Sequence, residues 1–115
     1  SLNVLEIGIG NAMKSIFVNN LCKFNSYDGL EKSSSLYKLS LKNCSENCTI
    51  NIIHSDLISY NTTKKYDVIL MFNVFHFFDN YDLALNKMFS LLNKNGVIFI
   101  DHPKAIPSGW GDDRL

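Results

Sequence analysis

Apolar positions follow two periods along this chain. Residues 4–7 form a short apolar run, interrupted by Glu6 and closed by Gly8 and Gly10, which reads as a buried strand. Residues 11–22 place Met13, Ile16, Phe17 and Leu21 at helical spacing. Residues 26–30 read as a second strand ending near Glu31. Residues 33–42 carry Leu36 and Leu39 behind a serine cap, a second helix. Residues 49–53 are β-branched and strand-like. Residues 57–65 are polar and irregular. Residues 66–72 are apolar nearly throughout, as a central strand covered on both faces requires. Residues 79–93 predict a third helix, opened by Asp79 or Asn80 and carrying Leu83, Leu85, Met88, Phe89 and Leu92. Gly96 suits a left-handed helix cap, and residues 97–100 a fifth strand. The remainder, with both prolines, is loop-like.

Strands alternating with helices predict an α/β fold: a doubly wound, mostly parallel sheet with helical crossovers. In such sheets the ligand lies beyond the carboxyl ends of the strands. Three acids stand there. Glu6 closes the first strand, Glu31 follows the second at 21 residues beyond Gly10, and Asp56 follows the third in "IIHSDL".

A dinucleotide turn needs a third glycine where this chain has Met13. Glu6 would also repel a pyrophosphate by roughly 4 kcal/mol at ~4 Å and an effective dielectric of about 20. A cationic ligand without phosphate fits better. Glu6 attracts an ammonium directly or through water. Gly8 and Gly10 admit close backbone approach. Glu31 accepts from a ribose diol, and Asp56 from the exocyclic amine of adenine. An ammonium, a ribose and an adenine together describe S-adenosylmethionine.

At this point a family resemblance enters. "VLEIGIGNA" is similar to the first motif of the class I S-adenosylmethionine-dependent methyltransferases, with Ala12 in place of a third glycine. "YDGLEKS" resembles their second-strand motif, whose acid holds the ribose, here Glu31. "HSDL" resembles the third-strand motif, with Asp56, beside Leu57, as adenine partner. "KYDVILMFNVFHFF" resembles the fourth-strand motif, and "LLNKNGVIFI" the segment leading into strand five. The resemblance implies a Rossmann-like methyltransferase core over residues 1–115, S-adenosylmethionine as cofactor and S-adenosylhomocysteine as product. Residues after strand four line the cofactor site in the family, so Asn73 is a candidate either to bond the methionine portion or to turn the chain. His76 is a candidate general base. The family fold has a helix before strand one and two strands after strand five, so the chain is expected to be an excerpt or a truncated relative lacking the last two strands.

Composition changes the picture in a few places. Eleven basic and eleven acidic residues cancel, and the (Asn/Asp)-Pro-Pro-(Tyr/Phe) element of amino-methylating nucleic-acid enzymes is missing. A small-molecule acceptor is therefore expected, with no nucleic acid. No apolar run reaches the ~20 residues of a membrane span. Three cysteines without an export signal predict reduced thiols and a cytoplasmic setting. Cys44, Cys48 and His54 lack an evident fourth metal ligand, so no metal is expected. His102 beside Asp101 is a weaker base and orienter pair, and Trp110 is expected to pack on the core or on a segment outside this chain. The rival reading is a catalytically inactive binding module of the same fold, dimerising through an exposed sheet edge. A nicotinamide-dependent oxidoreductase is disfavoured by Glu6 and Met13.

Overall fold

The structure is a computed structural model, which describes residues 1–45, 48–72 and 78–101. Its elements run β1 (Asn3–Ile7), α1 (Met13–Cys22), β2 (Ser26–Glu31), α2 (Ser34–Asn43), β3 (Ile50–His54), β4 (Tyr66–Phe72), α3 (Tyr81–Ser90) and β5 (Leu92–Asp101). The five strands form one sheet in the order β3-β2-β1-β4-β5, and every pairing is parallel. The expected doubly wound sheet is thus present. The order reverses between β1 and β4, so the chain leaves β3 and crosses to the other face before entering β4.

Each face has its own apolar core. Ile16 of α1 and Tyr37 of α2 pack with Val4, Ile9, Tyr27 and Ile52 on one side. Ala84 and Met88 of α3, with Leu57 and Tyr60 of the β3–β4 crossover, pack with Leu5, Leu30, Ile69 and Met71 on the other. The crossover contains neither helix nor strand, as its polar sequence implies. It is held instead by a polar cluster. Buried Asp28 accepts from Lys64 Nζ (2.9 Å) and from the Tyr66 hydroxyl (2.6 Å), which also meets the Tyr60 hydroxyl at 2.8 Å. On the next residue of β4, Asp67 accepts from the backbone N–H of Asn3 and from the Asn93 side chain. Those bonds hold its carboxyl below the usual carboxylate range.

Four expectations need correction. The spacing of α1 suggested a core-facing apolar stripe, yet Met13, Phe17 and Leu21 are 57%, 64% and 67% exposed. The helix buries Ser15 and Asn19 instead, because the sheet beneath presents hydrogen-bonding partners there. The third helix stops at Ser90 rather than at residue 93, since Tyr66 N–H already bonds to Leu91 O at 2.8 Å and draws the chain into β5. Gly96 is not the left-handed cap; Asn95 takes the positive φ of 70°. Gly96 is required for space, as a Cβ there would meet Leu92 Cδ1 at 2.8 Å and Asn93 O at 3.0 Å. Finally, Cys44 and Cys48 are joined in a disulfide, leaving Cys22 free and exposed. The end of α2 and the approach to β3 bring their Cα atoms to 5.0 Å, within bonding range.

Among the described residues no helix is long and apolar enough to cross a membrane.

Candidate functional site

The carboxyl ends of β1, β2 and β3 open into one cavity of about 330 Å³, within the usual range for small-ligand sites. β1 contributes Ile7, then Gly8 and Gly10; β2 contributes Leu30 and Glu31; the turn after β3 contributes Ser55, Asp56 and Leu57. Leu36 of α2 and Phe78, before α3, complete an apolar rim. Of the expected site residues, the structure therefore brings together Gly8, Gly10, Glu31, Asp56 and Leu57. Asn73 and His76 lie outside the described residues, as do His102 and Trp110.

The turn after β1 is built from alternating left-handed residues: Gly8 at φ 77°, Gly10 at φ 64° and Ala12 at φ 69°. The alternation folds the loop back over the end of β2. There the N–H groups of Gly8 and Ile9 both donate to Leu30 O at 2.9 Å, and the N–H of Gly10 donates to Glu31 Oε1 at 2.8 Å. Three successive loop amides are thus committed within the protein. A pyrophosphate needs such amides pointing outward, and here a carboxylate occupies the place of the anion.

Glu31 is itself fixed from both sides. Its second oxygen accepts from the N–H of Ser33 at 3.0 Å, just before α2, where the Ser33 hydroxyl caps the helix by accepting from Leu36 N–H. An ionised carboxylate has about four acceptor sites, so two remain for a ligand diol. Asp56 is held by Ser59, whose N–H and hydroxyl donate to its two oxygens at 2.7 and 3.2 Å. Both acids are thereby pre-positioned at the cavity wall, while Leu57, only 1% exposed, forms apolar floor.

Glu6 is placed elsewhere. It does not line the cavity. Its Oε1 accepts from the hydroxyls of Ser15 on α1 and Tyr27 on β2, so the carboxylate ties β1, α1 and β2 together. Burial pushes the Glu6 carboxyl above its ordinary value, an effect partly offset by these two bonds and by the charge of Lys14. Burial, and then the Glu6 charge, also raise the Tyr27 hydroxyl, keeping it a donor.

A pH dependence follows. The folded chain holds the Glu6 proton more tightly than the unfolded chain. This group's contribution is therefore full below the ordinary value of 4.5 and declines as pH rises through it toward the raised folded value. Glu6→Gln is expected to remove that decline, read by urea unfolding between about pH 4 and about pH 7. An unchanged pH profile in the variant would contradict the placement.

The cavity's apolar wall was missed at the level of sequence. Ile7, Leu30 and Leu36 read as ordinary core positions, and their adjacency to the acids was the available signal; Phe78, one of the phenylalanines after the fourth strand expected to cover either the cofactor or the core, lines the cavity. Among the described residues no cluster of three or more His, Cys, Asp or Glu side chains converges to hold a metal.

A family model described as a methyltransferase domain matches residues 5–98. Malonyl-[acyl-carrier protein] O-methyltransferase 1 of Ilyobacter polytropus is 28% identical over 96 residues, covering 84% of this chain and 36% of that protein. (S)-coclaurine N-methyltransferase of Papaver somniferum is 24% identical over 102 residues, covering 87% of this chain and 29% of that protein. The chain thus spans about a third of the length of these relatives. Among solved structures, the plantazolicin methyltransferase BpumL in complex with SAH superposes with a TM-score of 0.78 at 24% identity, covering 86% of this chain and 38% of that one. Coclaurine N-methyltransferase bound to N-methylheliamine and SAH gives 0.79 at 22% identity, covering 88% and 30%. At these identities the superpositions establish a shared fold.

Proposed function

We propose, because the chain belongs to the methyltransferase domain family, that its cavity binds S-adenosylmethionine and serves methyl transfer to a small-molecule acceptor. The observation that carries this reading is Glu31. Its carboxylate is buried, held by the Gly10 and Ser33 amides, and keeps free acceptor sites at the cavity. That arrangement suits a ribose diol and excludes a phosphate at the same point. Asp56 accepts from the adenine amine, while Ile7, Leu36, Leu57 and Phe78 supply the apolar surroundings of the ring. The nucleoside lies against Gly8 and Gly10, whose missing side chains allow the approach.

S-adenosylmethionine, when bound, supplies a methyl group already activated by its sulfonium, so no protein nucleophile is required. The task of the chain is then orientation: fixing the cofactor so that an acceptor atom can stand about 3–3.5 Å from the methyl carbon and in line. Asn73 is assigned to the methionine portion of the cofactor and His76 to proton removal from the acceptor. Zero net charge supports a small-molecule acceptor over a nucleic acid. The relatives named above for O- and N-methylation support the same reaction class.

Calorimetric titration tests this reading directly. Heat is expected with S-adenosylhomocysteine and none with NAD; the reverse pattern would overturn it. Gly10→Ala sharpens the test. Nothing lies within 4 Å of a Cβ at this position, so the folding cost is only the left-handed backbone, about 1–2 kcal/mol. The added methyl would project into space needed by the ligand. S-adenosylhomocysteine affinity is expected to fall by roughly fivefold to 150-fold, a contact loss of about 1–3 kcal/mol. Intact affinity in a folded variant would remove the glycine from the site.

A further inference from the structure

We propose that the Cys44–Cys48 disulfide is a redox-sensitive clasp on the glycine-rich turn. Formed, it holds that turn in shape for a ligand; reduced, it lets the turn loosen and the cavity lose affinity. The consequence for affinity rests on the S-adenosylmethionine reading above, whereas the clasp itself rests on the fold.

The two cysteines stand between the end of α2 and the start of β3, with Cα atoms 5.0 Å apart. Each has a neighbour that reaches the segment carrying the turn. Asn43, just before Cys44, donates from Nδ2 to the carbonyl of Asn11 at 2.9 Å. Thr49, just after Cys48, accepts at Oγ1 from Nδ2 of Asn19, buried on α1, at 2.7 Å. Asn11 follows Gly10, and its own Oδ1 accepts from the Met13 N–H where α1 opens. Both cysteines also pack against the core cluster that holds Ile9 and Ala12 of the turn. These side-chain bonds span 32 and 30 positions, so they are tertiary couplings between the disulfide segment and the turn with its helix.

The S–S bond fixes Asn43 and Thr49 relative to one another, so the turn and α1 are gripped at two points by one rigid piece. The cysteines are only four positions apart. A ring this short removes little chain entropy from the unfolded state, so its opening acts on the local grip more than on the fold. Both cysteines are half-buried, within reach of a small thiol. The reduced state also has a partner in place, since Cys44 Sγ lies 3.9 Å from the Ile50 carbonyl, a weak acceptor contact for a thiol. The chemistry is thiol–disulfide exchange. A thiolate of a dithiol reductant attacks one sulfur of the pair, the S–S bond breaks, and the other sulfur leaves as a thiolate that takes up a proton. The second thiolate of the reductant then displaces the remaining cysteine from the mixed disulfide. The dithiol ends as a disulfide, having given two electrons, and Cys44 and Cys48 end as thiols. Glutathione disulfide reverses the change and leaves as two molecules of glutathione.

Every protein in the test carries Cys22→Ser, which removes the free exposed thiol so that only this pair responds. Each is equilibrated with a dithiol or with glutathione disulfide, and a thiol count confirms its state. Hydrogen exchange of the amides of residues 8–12, without ligand, reads the clasp. Calorimetric titration with S-adenosylhomocysteine reads the consequence, with thermal unfolding as a folding control. Reduction is expected to speed exchange at residues 8–12 and to weaken S-adenosylhomocysteine binding roughly threefold to tenfold, the net worth of about one hydrogen bond. Cys44→Ser/Cys48→Ser should behave as the reduced form under both conditions. Asn43→Ala should still cycle by thiol count but lose most of the difference in affinity between the two states. A disulfide that serves stability alone would lower Tm on reduction and leave exchange at residues 8–12 and affinity the same in both states. That result overturns the inference and leaves the cofactor reading intact. A full difference in affinity retained by Asn43→Ala overturns the route through Asn11. Exchange that responds to reduction in a protein that binds no S-adenosylhomocysteine overturns the cofactor reading and leaves the clasp standing.

Discussion

Glu31→Ala is expected to weaken S-adenosylhomocysteine binding by about 1.5–3 kcal/mol, the range for hydrogen bonds to a charged group. In affinity this is roughly tenfold to more than a hundredfold. The effect should exceed that of any other single change at the cavity, because one carboxylate serves two purposes. Its inner acceptor sites hold the amides of Gly10 and Ser33, and its outer ones face the ligand. Removing it deletes the ribose contact and releases both the glycine-rich turn and the start of α2. Glu31→Gln divides these contributions. It keeps one acceptor oxygen but turns an NH₂ group toward one of the two amides, so it should lose less than alanine and still fall well below wild type. Calorimetry on the three proteins, with urea unfolding alongside, reads both effects. Wild-type affinity in a folded Glu31→Ala protein would refute the placement of the ribose.

Tyr66→Phe is expected to lower folding stability by about 1.5–3 kcal/mol. The ring is fully buried, and phenylalanine fills the same space, so the loss reports the hydroxyl alone. That hydroxyl donates to Asp28, which sits buried on β2 with Lys64 as its other partner. Without it a buried carboxylate lacks one of two donors. Burial, followed by the bonds to Asp28 and Tyr60, drives the Tyr66 hydroxyl far above the normal phenol range, so it is a donor at every accessible pH. For a domain near this size each 1 kcal/mol corresponds to roughly 4–8 °C in Tm. The urea midpoint should shift with little change in slope. Lys64→Met should cost less, because that side chain is 38% exposed and solvent screens its charge. Equal losses for the two variants would mean that the ion pair, and not the tyrosine, anchors the β3–β4 crossover.

These two residues show how far the chain can be read before it is folded. The position of Glu31 after a short apolar run, 21 residues beyond Gly10, was sufficient to nominate it as a ligand acid. The same local logic placed Asp56 and Leu57, since strand ends and turn residues are set by near neighbours. Tyr66 offered no such clue. It reads as the first apolar residue of a central strand, and its bond to Asp28 spans 38 positions.

The alternation of apolar runs and helical spacing by itself determined the parallel α/β architecture and the row of acids at the strand ends, because both depend on short-range periodicity and turn chemistry. Only the tertiary structure decided which side of each element is buried and what each polar group spends its bonds on. It turned Glu6 inward to Ser15 and Tyr27, left the apolar stripe of α1 exposed, and committed the loop amides to β2. Spacing defines a face, but burial of that face depends on partners contributed by strands distant in the chain.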